Sequence, residues 1–359
     1  MDAAWTPPAC TRCWVSSRVT APSTLSTRSS RPGREAAFST ETGSTRLTRS
    51  CGLSPGWPEP SALVRRRPTS PVTGMGEGAG SDASEGLDRL LTFLKRRLNG
   101  DFSVDAFGFD PELTEAVMLP ALRPLYRHWF RVEVRGIENI PASGAALVVA
   151  NHSGTVPVDS LMTQLAVHDE HPTHRHLRAL AADLVFQLPV VSDLARKSGS
   201  TLACTEDVEK LLGSGELVGV WPEGFKGVGK LYSERYKLQR FGRGGFVSAA
   251  LRSSAPIVPC SIVGAEEIYP MIANLDFLAR LLRLPYVPVT PTFPWLGLLG
   301  LVPLPSKWMI EFGKPITTDG YPDGAAEDPM VIFELTDHVR DTIQNTLHRL
   351  LEERGGAFG

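Results

Sequence analysis

The chain has 359 residues, 42% of them hydrophobic and 21% charged, with a formal net charge of −2 at pH 7. This composition excludes a wholly disordered or fibrous protein and gives no reason to expect a nucleic-acid partner. No stretch of the sequence reaches the roughly 18 apolar residues that span a bilayer. Five scattered cysteines do not suit a disulfide framework, so we expect a reducing, cytoplasmic environment.

The N-terminal segment differs in composition from the rest of the chain. Residues 1–74 contain ten arginines, no lysine and four acidic residues, which leaves a net charge of −8 on residues 75–359. Ser, Thr, Pro and Arg dominate without an apolar period, which predicts a disordered segment and linker over 1–84 and one folded domain over 85–359. The same composition is typical of a transit peptide, and translation from Met75 is a third interpretation.

The first periodic pattern in chain order is a helical one. Leucines at 87, 90, 91, 94 and 98 predict an amphipathic helix. Asp110 followed by Pro111 predicts the start of a second helix, which should end near Tyr126 to Trp129. Strand patterns then alternate with further helices. The predicted strands are Phe130–Val134, Ala145–Ala150, Leu177–Ala181, Leu217–Trp221, Ile257–Val263 and Trp308–Phe312.

Helical patterns separate these strands. The predicted helices are Pro157–Val167, Thr205–Leu212 with Thr205 as its cap, one that includes Phe246–Leu251, and Asp328–Arg354. The alternation predicts a single α/β domain, with a mainly parallel sheet flanked by helices on both faces. Pro259 interrupts a strand pattern, which favours an edge strand or a bulge at that place.

Two segments at predicted strand ends carry candidate chemistry. The first, Val149 to Asp159 (VANHSGTVPVD), delivers Asn151 and His152 to the carboxyl end of a buried strand and places Asp159 in the next helix. A histidine oriented by a carboxylate can activate a hydroxyl group. The second, Val220 to Lys230 (VWPEGFKGVGK), forms a turn that carries a carboxylate after another strand. The alternative for the first segment is that Asp159 merely favours the helix N-terminus and that His152 is a polar residue with satisfied hydrogen bonds.

Together with the strand Ala255 to Gly264 (APIVPCSIVG), these segments resemble the glycerolipid acyltransferase family, the 1-acylglycerol-3-phosphate type. The resemblance covers roughly Trp129 to Ile316. It implies His152 as general base and Asp159 as its orienting partner. It also implies substrate binding by the residues that match the family's motifs: Asn151, Pro222, Glu223, Gly224, Phe225 and Lys226.

The resemblance implies the reaction as well. The family transfers a fatty acyl group from acyl-CoA or acyl carrier protein, as co-substrate, to a lipid hydroxyl, with no cofactor and no metal. The acceptor would be diacylglycerol, a lysophospholipid or a long-chain alcohol. We expect a peripheral, monotopic protein on the cytoplasmic face of a membrane. An inactive lipid-binding protein of the same fold is the alternative.

The sequence departs from the family pattern in three places, of which the last two concern the acceptor. Six residues separate His152 from Asp159, where the family has four, so the loop must bulge. The segment Gly199 to Glu206 lacks the usual phosphate-binding arginine, and Phe225-Lys226 replaces Thr-Arg. Fewer cations favour the branch that acylates neutral acceptors.

Three further motifs invite other interpretations. Gly224 to Lys230 reads GxxxxGK, like a nucleotide-binding loop, but Leu231 stands where Ser or Thr is needed. The histidine-rich run from His168 to His176 is more typical of a solvated loop than of a metal site. Leu275 to Trp308 crowds apolar and aromatic residues into a proline-broken stretch, which indicates either a membrane contact or ordinary core.

Overall fold

The computed structural model describes residues 91–100, 102–153, 156–282 and 284–358. The segment predicted to be disordered lies outside these ranges. The boundary after residue 84 therefore stays a prediction, as do the interpretations of the N-terminal 74 residues.

A seven-stranded sheet lies at the centre of the described residues. The strands, with a separate two-stranded pair included, are β1 (Glu133–Arg135), β2 (Ala146–Ala150), β3 (Leu177–Ala181), β4 (Thr201–Leu202), β5 (Leu217–Val220), β6 (Ile257–Val263), β7 (Ala273–Asn274), β8 (Pro288–Val289) and β9 (Met309–Phe312). The order in the sheet is β1-β9-β6-β2-β5-β3-β4, and β7 pairs with β8. Every neighbouring pair in the large sheet is parallel except β6 and β9. The predicted mainly parallel sheet is confirmed.

Helices connect these strands. They are α1 (residues 91–98), α2 (Pro111–Leu113), α3 (Leu119–Pro124), α4 (Val158–Glu170), α5 (Asp183–Gln187), α6 (Val191–Lys197), α7 (Thr205–Gly213), α8 (Phe225–Val228), α9 (Gly245–Arg252), α10 (Asp276–Leu282) and α11 (Pro329–Arg354). Short 3-10 turns lie at Ile137–Asn139, Tyr232–Glu234, Ala265–Glu267 and Gly297–Leu301. Of the predicted helices, the four after β2 are present within a few residues of their expected ends, the one expected from Asp110 is divided into α- and π-helical turns, and the start of the one expected from Leu87 lies outside the described residues.

The helical segment before the sheet begins as the sequence predicts. The Asp110 carboxylate accepts a hydrogen bond from the Leu113 N–H at 2.9 Å, and Pro111 occupies the first turn. Two π-helical turns, Thr114–Met118 and Leu125–Trp129, flank α3. Prolines 120 and 124 lack the N–H that continues an α-helical ladder, so the wider turns fit a segment that they interrupt.

Both faces of the sheet are covered, and β2 shows how. Leu147 and Val149 point into one core cluster, which also contains side chains of α7, α9 and α11. Their neighbours Ala146, Val148 and Ala150 belong to a second cluster, shared with α4. Side chains alternate across a strand, so a strand without polar residues is buried on both sides.

One local prediction was wrong, and another holds in one of its two forms. Pro259 lies in β6, which is an interior strand between β2 and β9, so the edge-strand form is wrong. The bulge form agrees with the pairing: Ile257 faces Ile316 and Cys260 faces Phe312, so two residues of β6 lie opposite three of the facing segment, where the Gly313 N–H donates to the Pro259 carbonyl at 2.7 Å. Thr205 is the first helical residue of α7 rather than its cap; the cap position is Cys204, which makes no side-chain capping bond.

The remaining features concern cysteines and membrane spans. Cys204 and Cys260 are both buried, and neither forms a disulfide; burial raises the pKa of Cys260. Cys10 and Cys13 lie outside the described residues. Within the described ranges, none of the helices combines the length and apolar character that crossing a bilayer requires.

Candidate active site

The site forms where β2 ends, in the middle of the sheet. Asn151, His152 and Ser153 follow the last residue of β2, which lies between β5 and β6. The Pro222-Glu223 turn follows β5 at the same edge. Carboxyl ends of parallel strands are the usual place for ligands in open α/β sheets. The topology therefore brings the two predicted segments together.

His152 and Asp159 form a direct pair. The distance from His152 Nδ1 to Asp159 Oδ2 is 2.7 Å. Asp159 is fully buried in the first turn of α4, and its two oxygens accept hydrogen bonds from the Ser153 and Ser160 N–H groups, each at 2.9 Å. The six-residue spacing therefore does not prevent the pair from forming. Residues 154 and 155, where the predicted bulge would lie, are not among those described.

The pair fixes the form of the imidazole. An ionised carboxylate can only accept hydrogen bonds, so Nδ1 carries the proton and Nε2 is unprotonated in the neutral ring. The His152 side chain keeps 14% of its surface exposed, whereas that of Asp159 keeps none. The arrangement thus offers a solvent-accessible basic nitrogen that is oriented from behind by a buried carboxylate.

The Asn151 side chain links the end of β2 to β6. Its amide nitrogen donates to the Ile262 carbonyl at 3.0 Å, and its amide oxygen accepts from the Ile262 N–H at 2.7 Å. The residue is fully buried. These contacts favour a role in holding the end of β2 against β6, and substrate binding by Asn151 stays a prediction.

Glu223 links the two active-site segments. One carboxylate oxygen accepts from the His152 backbone N–H at 2.9 Å, and the other accepts from the Gln239 N–H at 2.7 Å. Its side chain is fully buried. The contacts favour a strut that positions the backbone of His152, whereas the sequence predicted a substrate-binding residue.

A buried charge cluster lies behind Glu223. Lys230 Nζ is 3.5 Å from a Glu223 oxygen and 3.1 Å from a Glu266 oxygen, and it donates to the Lys237 carbonyl at 3.1 Å. Burial raises the pKa of Glu266 to about 7, an effect that Lys230 opposes and Glu223 strengthens. Lys230 is thereby committed to protein groups. These contacts count against the nucleotide-binding interpretation of Gly224 to Lys230, which needs this lysine for phosphates.

The other predicted substrate-binding residues surround a tight turn. Pro222 is buried, and its carbonyl accepts from the Gly242 N–H at 3.2 Å. Gly224 adopts φ 55° and ψ −141°, a conformation that favours glycine. Phe225 is half-buried at the start of α8, and Lys226 is exposed. Phe225 and Lys226 remain the members of the turn best placed to meet a substrate.

Three neighbours of the pair were not predicted. A Cβ on Gly227 would lie 2.8 Å from the His152 carbonyl oxygen and 3.0 Å from its Cβ, so α8 packs directly on His152. The Trp221 ring lies 6.1 Å from the His152 ring, centroid to centroid. Burial raises the pKa of the Tyr286 hydroxyl, and the charge of Asp159 adds to this. Only a folded chain brings Tyr286 near the pair, and no sequence signal marks it.

Comparison with known proteins places this geometry in a family. The family model described as Acyltransferase matches residues 131–263, a range that contains His152, Asp159 and the Pro222-Glu223 turn. An uncharacterized protein of Mycobacterium tuberculosis is 59% identical over 303 residues, covering 83% of this chain and 85% of the relative.

More distant relatives carry functional names. The human "DGAT1/2-independent enzyme synthesizing storage lipids" is 30% identical over 36% of this chain and 39% of its own length. The sheep 1-acyl-sn-glycerol-3-phosphate acyltransferase alpha is 29% identical over 45% of this chain and 55% of its own length. A solved structure, the 1-acyl-sn-glycerophosphate (LPA) acyltransferase PlsC from Thermotoga maritima, aligns with a TM-score of 0.43 and 19% identity over 75% of this chain and 98% of that chain.

The site geometry, the matched family and the extent of the match to the mycobacterial relative agree with the resemblance seen in the motifs. The chain belongs to the glycerolipid acyltransferase family and is an O-acyltransferase of the phospholipid/glycerol type.

Proposed function

We propose that the protein transfers a fatty acyl group from an acyl thioester to the hydroxyl of a neutral membrane lipid, with His152 as general base and Asp159 as its orienting partner. The observation that carries this proposal is the 2.7 Å contact between His152 Nδ1 and Asp159 Oδ2. The contact leaves Nε2 as the nitrogen that accepts a proton.

The chemistry then follows in two steps. Nε2 takes the proton of the acceptor hydroxyl as its oxygen attacks the thioester carbonyl carbon, and the carbonyl oxygen becomes negatively charged. The tetrahedral intermediate collapses, the carbon–sulfur bond breaks, and the imidazolium returns its proton to the leaving thiolate. Asp159 stabilises the imidazolium between these steps. A positioned general base contributes on the order of 100- to 10,000-fold to the rate.

The two lysines within the active-site turn support a neutral acceptor, diacylglycerol before a lysophosphatidate. Lys230 is committed to Glu223 and Glu266, so it cannot serve an acceptor phosphate without breaking that cluster. Lys226 is the exposed cation within the turn itself. A single lysine lacks the paired geometry with which arginine holds a phosphate.

A side-by-side assay tests the acceptor. Purified protein and labelled acyl-CoA are incubated with diacylglycerol, a long-chain alcohol or lysophosphatidate in matched vesicles, and the products are resolved by mass spectrometry. We expect the neutral acceptors to give the faster transfer. A strong preference for lysophosphatidate would contradict the proposal, and loss of that preference in Lys226→Ala would then identify the phosphate ligand.

An arginine-lined cavity beside the turn supports acyl-CoA as the donor. The cavity has a volume of about 560 Å³, and Arg240, Arg243 and Arg340 line it together with one acidic residue, Asp337. The Gly242 N–H, between the first two arginines, donates to the Pro222 carbonyl, which ties this loop to the active-site turn. Arginine suits phosphate groups, and coenzyme A carries several. We therefore place the phosphates of the donor in this cavity.

A donor without phosphate groups distinguishes phosphate binding by Arg240 and Arg243 from a purely structural role of these arginines. The variant Arg240→Gln with Arg243→Gln should raise KM for acyl-CoA by about tenfold or more, since each charge-assisted hydrogen bond is worth roughly 1.5–3 kcal/mol. KM for an acyl-pantetheine thioester, which has no phosphate, should not change. Arg252→Gln, which removes an exposed arginine paired with Glu209 and Glu327, is the control. An equal effect on both donors would contradict the assignment.

Exposed apolar side chains support attachment to a membrane surface, and the cytoplasmic face remains the prediction made from the sequence. The antiparallel pair β7 and β8 encloses α10 and leads into residues 290–302. Phe277 is 82% exposed in α10, and Trp295 and Leu299 are 73% and 72% exposed. Aromatic and aliphatic side chains at this density suit the boundary between lipid headgroups and acyl chains. We propose a peripheral, monotopic attachment through this surface, named here the apolar lobe (residues 275–302).

The alternative hypothesis is an inactive lipid-binding protein of the same fold. The irregular spacing of His152 and Asp159 suggested it, but these two side chains make a direct hydrogen bond. A thioester-cleavage assay separates the two functions, because a binding protein would release no free thiol.

A further inference from the structure

Three potential metal ligands converge at the end of α4 remote from the active site. Glu115 lies in the first π-helical turn, His168 in the last turn of α4, and His176 just before β3. One ligand atom of each lies within 4.8 Å of the others, and His176 Nε2 is 3.1 Å from a Glu115 oxygen. Ligand atoms around a tetrahedral zinc ion, at about 2.0–2.2 Å from it, are separated by roughly 3.3 Å. Small side-chain adjustments would bring this cluster to that spacing.

The surroundings of His168 match those of a metal-bound histidine. Its Nδ1 lies 3.1 Å from an Asp169 oxygen, which leaves Nε2 for the cluster. Arg123 holds the Asp169 carboxylate with two hydrogen bonds, at 2.8 and 2.9 Å. Metal-binding histidines commonly donate their other ring N–H to a carboxylate, which orients the ring and strengthens the ligand.

The other histidines of the run do not join the cluster. His171 is buried, and its Nε2 is 3.1 Å from the Ile140 carbonyl; His174 Nδ1 is 2.7 Å from the His168 carbonyl. The run from His168 to His176 therefore differs from the solvated loop that its composition predicted. The run connects α4 to β3. Two of its histidines, His171 and His174, bond backbone carbonyls. The other two, His168 and His176, have rings 5.2 Å apart and lie beside Glu115.

We propose that Glu115, His168 and His176 bind one zinc ion. Two imidazoles and one carboxylate, without a thiolate, form a donor set that zinc accepts, with a water molecule in the fourth position. His168 lies nine residues after Asp159 along α4, about 14 Å at the rise of an α-helix. The ion would therefore join the helical segment of residues 111–129 to α4 and β3, and it would take no part in acyl transfer.

Metal binding by the full chain tests this site independently of activity. Purified protein is stripped with a chelator, dialysed, and titrated with zinc chloride by calorimetry, while its melting temperature is followed with and without zinc. We expect a single site, one ion per chain, and a higher melting temperature with zinc. His168→Ala and His176→Ala should each lose both effects. Glu115→Gln changes an exposed side chain, so it should fold normally and bind zinc at least tenfold more weakly.

A matched variant guards against nonspecific binding. His128→Ala removes an exposed histidine from the same helical segment and should bind zinc as the unmodified protein does. Absence of a saturable site in the stripped protein would overturn the proposal. So would zinc binding that survives intact in Glu115→Gln and in both histidine variants.

Discussion

At the residue scale, the base is held by its backbone as well as by its ring. Asp159 fixes the imidazole, Glu223 accepts from the His152 N–H, and Gly227 closes against the His152 carbonyl. A reacting nitrogen must be placed to within a fraction of an ångström, and such placement requires neighbours that cannot move. If His152 is the base, as we propose, Glu223 and Gly227 act on the reaction through its position.

Gly227→Ala tests this packing. The added Cβ would lie 2.8 Å from both the Glu223 Cβ and the His152 carbonyl oxygen, neither of which is the free end of a flexible side chain. We expect the free energy of unfolding to fall by about 1–3 kcal/mol. We also expect kcat to fall by a larger factor than the factor by which KM changes. Denaturant unfolding and steady-state kinetics measure the two effects.

The control is another helical glycine. Gly213, the last residue of α7, has no neighbouring atom within 4 Å of the place that an added Cβ would occupy, so Gly213→Ala should leave kcat unchanged and keep or slightly raise stability. Unchanged kinetics in Gly227→Ala would show that the position of His152 does not depend on α8.

At the scale of elements, the 3-10 turn Ala265–Glu267 carries a buried carboxyl group, that of Glu266, whose titration makes stability depend on pH. Glu266 pairs with Lys230 in the cluster behind Glu223. Its pKa is raised to about 7, against 4.5 for an ordinary glutamate, first because it is buried and then because Glu223 lies nearby. Between these two values the folded protein holds the Glu266 proton while the unfolded chain has released it. The contribution of Glu266 to stability is thus full below about pH 4.5 and is lost as pH rises through about 7.

Glu266→Gln should remove this dependence. The free energy of unfolding, measured by denaturant at about pH 5 and about pH 8, should fall less with rising pH in the variant than in the unmodified protein. Glu138→Gln, at an exposed glutamate, should show the unmodified slope. Identical slopes in the Glu266→Gln variant and the unmodified protein would mean that Glu266 is ionised throughout this range.

Elements with a strong local pattern could be predicted from sequence. The strands Ile257–Val263 and Leu177–Ala181 have the bounds that the sequence predicts, because short, mostly apolar runs between polar segments are typical of buried strands. Pro259 left the choice between an edge strand and a bulge open, since that choice depends on the segment around Gly313, which arrives from elsewhere in the chain. The irregular pairing opposite Pro259 provides the bulge, and the sheet order makes β6 an interior strand.

The site was predictable where chemistry follows a strand end. His152 and Asp159 could be found because a buried strand and a helix start fix their places. The position of Tyr286 and the grouping of Glu115, His168 and His176 could not be predicted, because these residues meet their neighbours only through the tertiary fold. The motif resemblance implied substrate binding by Glu223, whereas its contacts with the His152 and Gln239 N–H groups favour a positioning role.

At the scale of the whole molecule, the proposed attachment to a membrane depends on the apolar lobe. Trp295→Ser with Leu299→Ser should weaken binding to phospholipid vesicles by at least about tenfold, because each large apolar side chain contributes roughly 1.5–3 kcal/mol when fully buried. The melting temperature should barely change, since both side chains are largely exposed. Vesicle co-sedimentation and thermal unfolding measure the two quantities.

Tyr321→Ser, at an exposed aromatic residue outside the lobe, is the control and should bind vesicles normally. The opposite pattern, a large loss of thermal stability with vesicle binding intact, would show that Trp295 and Leu299 belong to the core and would place the membrane contact elsewhere.

The proposed mechanism requires His152, oriented by Asp159, to be the base that activates the acceptor hydroxyl. The most direct measurement is the rate of acyl transfer by purified His152→Ala beside the unmodified protein, with circular dichroism to confirm an intact fold. We predict a fall on the order of 100- to 10,000-fold, with Asp159→Asn also strongly impaired. Near-normal turnover by a folded His152→Ala variant would contradict the role of His152 as the general base.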